Sequence, residues 1–170
     1  MDAVLQHLKA LVVEDNAHMR TLLRTILLGL GVGEVHEAQD GGQAFTLLGR
    51  GATDLVVTDL VMAPMDGIAF VHALRNSANS PNPFLPVIMV SGHTERTRIL
   101  AARDAGVTEF VAKPITAKNL LLRIMEIVDR PRPFVRGEGY FGPDRRRRND
   151  AFYVGPWRRE EDHARNIVAV

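Results

Sequence analysis

The chain of 170 residues contains no cysteine, and only 6% of its residues are aromatic. Without cysteine, the protein has no disulfide framework and no zinc site built on thiolates, which fits a reducing cytoplasm. No apolar stretch is long enough to span a bilayer, and polar residues interrupt the N-terminus where a signal peptide needs an apolar run. We therefore expect a cytoplasmic protein without a membrane segment.

The net charge of +1 conceals an uneven distribution along the chain. Residues 1–129 carry 11 Lys and Arg against 14 Asp and Glu, a net charge of −3. Residues 130–170 carry 10 Arg against 6 Asp and Glu, a net charge of +4. Length and composition therefore predict one acidic globular domain followed by a short basic extension.

Short apolar runs alternate with helical periodicity through the acidic part of the chain. The run from Leu55 to Val57 has no polar break, which is typical of a strand buried on both faces. The pattern predicts five strands, each followed by a helix, with Thr116 as the N-cap of a last helix that ends near Val128. Such alternation favours an α/β fold with a parallel sheet covered by helices on both faces.

Reactive side chains follow four of the predicted strands at their carboxyl ends: Glu14 and Asp15, Asp59, Ser91, and Lys113. A lone aspartate after a strand usually starts a turn. The carboxyl ends of parallel strands, however, lie at one edge of the sheet, where open α/β folds place their sites. The whole set therefore favours a functional role for Asp59.

Clustered carboxylates repel one another, and their pKa values rise unless a cation compensates them. Oxygen ligands of this kind suit Mg²⁺. A metal ion, an ammonium and a hydroxyl together neutralise a phosphoryl group during its transfer. Asp59 is ionised at neutral pH, so it needs no general base to attack phosphorus.

These segments resemble the receiver domain of two-component response regulators over roughly residues 8–129. The motifs are Val13-Glu14-Asp15, Asp40-Gly41, Thr58-Asp59 with Met65-Asp66-Gly67, Val90-Ser91-Gly92, and Phe110 with Lys113-Pro114. The resemblance implies a flavodoxin-like (βα)5 three-layer sandwich with a parallel sheet of order 2-1-3-4-5. It also implies a phosphorylation switch that signals through protein contacts, with a histidine kinase or histidine phosphotransfer protein as phosphodonor. Its own chemistry would be limited to phosphotransfer and autodephosphorylation.

The resemblance assigns the metal ligands. It implies that Glu14, Asp15, Asp59 and the backbone carbonyl of Val61 hold Mg²⁺. Glu14 stands where aspartate is more frequent, which extends that carboxylate by one methylene. Ala63 stands where the family usually has a proline, and the proline of this chain, Pro64, comes one residue later. The loop after Asp59 therefore departs from the common pattern.

The resemblance also assigns the residues around the phosphoryl group. Ser91 and Lys113 would contact it, and Ser91 would move together with Phe110 as the switch. Phe110 lacks the hydroxyl of the more common tyrosine, so its part in the switch would rest on packing. Val61 and His93 occupy positions that modulate the lifetime of the acyl phosphate. His93 could orient water there, but an exposed loop histidine is the favoured interpretation.

A phosphatase with an aspartate nucleophile is the main alternative. Phosphatases of the haloacid-dehalogenase type also attack phosphate with an aspartate at a strand end, and they need a second aspartate two residues later as acid and base. That position is Val61, which cannot transfer a proton. The sequence therefore disfavours a phosphatase.

The last predicted helix carries an apolar band too wide for one buried face: Leu120, Leu121, Leu122, Ile124, Met125, Ile127 and Val128. The band is either covered by the sheet and the tail, or exposed for a partner. We expect a homodimer that uses this helix and the last strand, with the tail as a further candidate contact.

The extension over residues 130–170 is too short for an output domain with its own core. The pattern Tyr-x-Gly-Pro-x-Arg-Arg occurs in it twice, over 140–146 and 153–159. It is either an irregular, solvated tail or a segment that docks on an acidic surface, such as the receiver of the same or a second protomer. Arg145 to Arg148 also permit DNA or RNA binding, but the acidic run Glu160-Glu161-Asp162 and the lack of a helix-turn-helix pattern disfavour it.

Overall fold

The computed structural model of the chain describes residues 2–92, 96–145 and 167–168. The helices are α1 (Asp2–Leu5), α2 (Ala17–Gly29), α3 (Gly41–Leu48), α4 (Gly67–Asn76), α5 (Arg96–Asp104) and α6 (Ala117–Asp129). The strands are β1 (Lys9–Val13), β2 (Glu34–Ala38), β3 (Leu55–Asp59), β4 (Val87–Ser91), β5 (Glu109–Ala112), β6 (Phe134–Gly137), β7 (Tyr140–Pro143) and β8 (Ile167–Val168).

The first five strands form one parallel sheet of order β2-β1-β3-β4-β5. This order confirms the predicted flavodoxin-like architecture. Strands β3 and β4 lie at the centre of the sheet, and every residue of both is buried. Their apolar runs, residues 55–57 and 87–90, are expected for strands covered by helices on both faces.

The core has two layers, one on each face of the sheet, because successive strand residues point to opposite faces. Leu11 and Val56 lie on one face with Phe70 of α4. Val12 and Val57 lie on the other face with helices α2 and α6.

Side-chain caps fix the starts of four helices and thereby the loops that precede them. Asn16, Asp40, Asp66 and Thr116 each accept a hydrogen bond from the backbone amide three residues later. Such caps satisfy an amide that the helix itself leaves without a partner. Thr116 was predicted as an N-cap, and the structure confirms it.

The apolar band of α6 is largely accounted for by packing. Leu120 and Ile124 are fully buried, and Leu121, Met125, Ile127 and Val128 are partly buried against the same core. Leu122 is different, because 57% of its surface is exposed. One side chain of the band therefore remains free to contact a partner.

Part of the C-terminal extension forms an antiparallel hairpin, which differs from the irregular tail that the sequence predicts. Strands β6 and β7 pair with each other, and β8 pairs with the other edge of β6. The hairpin turns through Glu138 and Gly139, and Gly139 has a φ of +74°, the left-handed region that favours glycine. The second copy of the repeated pattern, over 153–159, and the run Arg146–Arg148 lie outside the described residues.

The hairpin packs against the body through a cluster of three phenylalanines. Phe84 lies in the loop before β4, and its ring centroid is 5.4 Å from that of Phe134 and 5.3 Å from that of Phe141. Phe134 is 5% exposed and Phe141 is 3% exposed. Burial of aromatic side chains against the body holds the hairpin in place. The docked hairpin agrees with the alternative in which the tail binds the receiver of its own protomer.

Arg75 of α4 lies beneath the hairpin and is almost fully buried. Its guanidinium donates to the carbonyl oxygens of Gly106 at 3.1 Å and Pro83 at 2.7 Å, and it stacks 5.0 Å from the ring centroid of Phe134. Burial lowers the pKa of Arg75 to about 10, so it keeps its charge at neutral pH. The arginine thus joins the end of α5, the loop before β4 and the hairpin.

No helix in the described part of the chain is long and apolar enough to cross a membrane.

Candidate functional site

The predicted reactive residues lie at the carboxyl edge of the parallel sheet. Asp59 is the last residue of β3 and Ser91 the last of β4, while Glu14 and Lys113 directly follow β1 and β5. The ammonium of Lys113 lies 3.0 Å from Oδ1 of Asp59 and 3.8 Å from Oε2 of Glu14. The structure therefore brings Glu14, Asp59 and Lys113 into one charged cluster.

Backbone hydrogen bonds between neighbouring strands hold this edge together. The amide of Leu60 donates to the carbonyl of Val90 at 3.0 Å, and the amide of Lys113 donates to the carbonyl of Ser91 at 2.8 Å. Asp59 is 6% exposed and Ser91 is 8% exposed. The aspartate and the serine are thus fixed by the sheet and only narrowly open to solvent.

Glu14 is the most deeply buried acid of the site, with 1% of its surface exposed. Its Oε1 accepts from the amide of Asn16 at 3.1 Å, and Arg20 donates to its backbone carbonyl at 2.7 Å. Burial raises the pKa of the Glu14 carboxyl above its ordinary value. The charge of Asp59 adds to that rise, whereas the Asn16 amide and Lys113 oppose it.

Asp15 and Val61 belong to the loops around this cluster. Asp15 is exposed, and its Oδ2 accepts from the amide of Ala63 at 3.1 Å, which ties the loop after β1 to the loop after β3. Val61 lies in that second loop with 48% of its surface exposed. Within residues 2–92, 96–145 and 167–168, no group of three or more His, Asp or Glu side chains is arranged to hold a metal ion. The three predicted acidic ligands are therefore neighbours that do not converge in this arrangement.

The oxygen atoms at this edge nevertheless fit a hard divalent cation. Oε2 of Glu14 is buried and has no hydrogen-bond partner among the described residues. Such an orphaned carboxylate oxygen next to a second carboxylate is costly without a compensating cation. Lys113 supplies part of the compensation to Glu14, at 3.8 Å. Carboxylate and carbonyl oxygens in this setting are the ligands that Mg²⁺ prefers.

Phe110, the predicted switch residue, is half-buried in β5 and lines a groove beside the site. The groove is formed by Leu60, Ser91, Arg98, Ile99, Phe110, Val111 and Ala112. Ser91 and Phe110 thus share one concave surface that the predicted switch would use. His93 lies outside the described residues.

Gly67 supports the site because it lets helix α4 begin close to the end of β3. A Cβ atom at this position would lie 2.1 Å from the carbonyl oxygen of Asp59 and 3.1 Å from Cε of Met89. The first residue of α4 therefore has to be glycine for the helix to start against the end of β3. The signal in the sequence was the motif Met65-Asp66-Gly67, but the steric reason needed the fold.

Comparison with known proteins agrees with this geometry. The family model of the response regulator receiver domain matches residues 10–125. The chain is 36% identical to the chemotaxis protein CheY-3 of Vibrio cholerae over 131 residues, which cover 76% of this chain and 99% of that protein. It is 38% identical to the chemotaxis protein CheY of Pseudomonas aeruginosa over 123 residues, which cover 72% of this chain and 98% of that protein.

Solved structures show the same fold. The chemotaxis protein CheY4 of Vibrio cholerae superposes with a TM-score of 0.65 at 28% identity, covering 71% of this chain and 98% of that one. The receiver domain of the histidine kinase CKI1 from Arabidopsis thaliana, in complex with Mg²⁺ and BeF₃⁻, superposes with a TM-score of 0.63 at 26% identity. That match covers 72% of this chain and 93% of the receiver.

These matches favour neither the phosphatase nor the nucleic-acid alternative. The family match spans more than half of the chain and includes Glu14, Asp59, Ser91 and Lys113. By fold, by motif and by sequence, the chain belongs to the response regulator receiver domain family and acts in two-component phosphorelay signalling.

Proposed function

We propose that the chain accepts a phosphoryl group on Asp59 in a Mg²⁺-dependent reaction and passes the signal on through protein contacts. The observation that carries this proposal is the 3.0 Å contact between Lys113 Nζ and Asp59 Oδ1, made beside Glu14 at the carboxyl edge of the sheet. We assign the receiver domain to residues 8–129 and a separate extension to residues 130–170.

Asp59 acts as the nucleophile. One of its carboxylate oxygens bonds to phosphorus while the bond from phosphorus to the donor breaks, and the product is an acyl phosphate. Lys113 neutralises the charge on the phosphoryl oxygens, and the hydroxyl of Ser91 provides a further contact. Ser91 and Phe110 then form the switch, because both line the groove next to the site.

Glu14, Asp15, Asp59 and the backbone carbonyl of Val61 are the proposed Mg²⁺ ligands. The buried Oε2 of Glu14, which accepts no hydrogen bond from the described residues, and the raised pKa of its carboxyl support this assignment. A bound divalent cation supplies charge that offsets the approach of a phosphate to an acidic site. Val61, with its exposed side chain, and His93 remain the proposed modulators of acyl-phosphate lifetime.

Receiver domains of this family are signalling switches, and their partners are histidine kinases or phosphotransfer proteins. We propose a phosphohistidine on such a partner as the donor, and catalysis limited to the chain's own phosphotransfer and autodephosphorylation. We also propose that the reaction takes place in the cytoplasm, whose reducing conditions fit a chain without cysteine. We further propose a homodimer through α6 and β5, supported by the exposed Leu122.

Intact mass spectrometry tests the proposed function. Wild type, Asp59→Asn and Asp54→Asn are incubated with a small acyl phosphate, with and without Mg²⁺. Asp54 is the matched control because it directly precedes the same strand at its opposite end, where it accepts from the amide of Lys9. Wild type and Asp54→Asn should gain one phosphoryl group in Mg²⁺, and Asp59→Asn should gain none. A gain by Asp59→Asn, or steady turnover of a phosphomonoester by wild type, would overturn the proposal.

A further inference from the structure

One buried carboxylate joins the C-terminal extension to the receiver. Glu109, the first residue of β5, is 2% exposed. Its Oε1 lies 3.2 Å from Nη2 of Arg132, which precedes the hairpin, and its Oε2 lies 3.3 Å from Nη1 of Arg123 on α6. Extension, strand and helix therefore share a single carboxylate.

Arg132 also fixes the backbone on both sides of this contact. Its Nη2 donates to the carbonyl of Thr108, immediately before β5, and its Nη1 donates to the carbonyl of Asp144 at 3.2 Å. The amide of Asp144 in turn donates to the carbonyl of Pro133 at 2.8 Å. One guanidinium thus ties both ends of the hairpin to the start of β5.

The other end of β5 reaches the proposed phosphoacceptor. The strand has only four residues, Glu109–Ala112, and Lys113 follows it with its ammonium 3.0 Å from Asp59. At about 3.3 Å per residue the strand is roughly 13 Å long. It is also bonded along its length to β4, so its two ends are connected by a short and stiff segment.

Loss of the contact between Arg132 and Glu109 would affect the position of β5. Removing one partner of a buried ion pair leaves the other charge poorly compensated in a medium that solvates it badly. Without Arg132, Glu109 loses one of the two arginines that contact its carboxylate in the described part of the chain. The start of β5 would then relax, and the position of Lys113 at its far end would shift with it.

We propose that Arg132 is a positioning residue for the phosphorylation of Asp59. Acting through Glu109 and β5, it sets the place of Lys113, so that docking of the hairpin and phosphorylation of Asp59 are coupled. Arg132 lies beyond residues 10–125, the part matched by the family model, so this control belongs to the extension of this chain. The inference rests on the proposed function of Asp59.

Phosphorylation kinetics of the full chain test the inference in one direction. Arg132→Gln is compared with Arg132→Lys and with Arg136→Gln, at several concentrations of a small acyl phosphate and saturating Mg²⁺. Arg136 is the matched control because it is an exposed arginine of the same hairpin that stacks 4.3 Å from the ring centroid of Phe141.

Arg132→Gln should lower the maximal rate about fivefold or more, because a displaced Lys113 stabilises the phosphoryl charge less well, and should leave the half-saturating donor concentration near that of wild type. Arg132→Lys should recover part of the change because it keeps the charge. Arg136→Gln should stay within about twofold of wild type, as expected for a residue outside a coupled pathway. Equal rates for Arg132→Gln and Arg136→Gln would overturn the inference.

Hydrogen exchange of wild type tests the reverse direction and does not depend on any variant folding. Binding free energies couple reciprocally, so binding of beryllofluoride with Mg²⁺ at Asp59 should change the protection of the amides over residues 134–143, relative to Mg²⁺ alone. Asp59→Asn should show no change. If wild type accepts phosphate on Asp59 but the hairpin amides do not respond, the coupling is wrong and the proposed function stands. If wild type accepts no phosphate, both fail.

Discussion

At the scale of single residues, Lys113 and Glu14 set the electrostatics of Asp59 in opposite directions. The lysine stabilises negative charge on the Asp59 carboxylate, whereas the buried carboxylate of Glu14 places further negative charge beside it. An acceptor site needs both effects, because the cation of Lys113 favours phosphate binding while the acids create the place for a divalent ion.

Lys113→Met should slow phosphorylation of Asp59 by about a hundredfold, as is typical when one preorganised group that stabilises developing charge is removed. The measurement is the initial rate of mass gain with a small acyl phosphate and Mg²⁺. Lys118→Met is the control, since Lys118 is exposed on α6. A rate for Lys113→Met equal to that of the control would contradict the role given to this ammonium.

The raised pKa of Glu14 predicts that the stability of the fold depends on pH. Its folded-state pKa is raised above the ordinary value of 4.5, so the folded protein binds the proton more tightly than the unfolded chain does. The contribution of Glu14 to stability is therefore favourable below that value and is lost as pH rises through the folded-state pKa.

Glu14→Gln should consequently raise the melting temperature of the metal-free protein at pH 7 by about 2–4 °C, the shift expected for about 1 kcal/mol in a chain of this size. The gain should be smaller at pH 5. The same variant should weaken Mg²⁺ binding, which titration calorimetry measures. A larger gain at pH 5 than at pH 7 would show that the charge of Glu14 is not what destabilises the folded state.

At the scale of secondary-structure elements, the start of α4 has to approach the end of β3 closely. Gly67→Ala would place a methyl group against the Asp59 carbonyl and the side chain of Met89. We expect a loss of about 1–3 kcal/mol in the free energy of unfolding, measured by urea denaturation. Gly51→Ala is the control, because no atom lies within 4 Å of its added Cβ. Equal stabilities of the two variants would contradict the steric role.

The elements of the sheet were predictable from local sequence, and the reason is physical. Buried runs such as Leu55–Val57, together with caps such as Thr116, specify strands and helices through neighbours in the chain. Parallel strands with right-handed crossovers leave few arrangements, and the resemblance selected the order that is observed. The gathering of Glu14, Asp59 and Lys113 then follows from where the strands end.

Contacts between distant segments were not predictable in this way. The hairpin depends on Phe84 in the loop before β4. Its Gly142-Pro143 pair, of a kind that usually indicates a turn, lies in strand β7 instead. The amide of Ala63 donates a hydrogen bond to Asp15, and Arg123 and Arg132 share the carboxylate of Glu109. No periodicity in the sequence relates the residues of these contacts. The short helix α1, Asp2–Leu5, is too brief to give a periodic pattern.

At the scale of the whole molecule, the extension covers one end of the receiver while the proposed phosphoacceptor lies at the other. The hairpin contacts the region where β4 and β5 begin, and Asp59 lies where β3 ends. Among the residues that the structure describes, the extension therefore holds the amino edge of the sheet and leaves the carboxyl edge to a phosphodonor.

Leu122→Arg should shift the proposed homodimer towards monomer, because it places a charge in the exposed part of the α6 band. Sedimentation velocity with Mg²⁺ and beryllofluoride measures the effect. Leu28→Arg is the control, since Leu28 is an exposed leucine of α2. Wild type that sediments as a monomer with and without beryllofluoride would rule out this dimer.

The most direct test of the central claim locates the phosphoryl group on the chain. After reaction with a phosphorylated kinase or a small acyl phosphate in Mg²⁺, peptide mapping should place it on the peptide that contains Asp59. Hydroxylamine should remove it, because hydroxylamine cleaves acyl phosphates and leaves phosphate esters intact. A hydroxylamine-resistant phosphate on Ser91, or any phosphate outside the Asp59 peptide, would contradict the account.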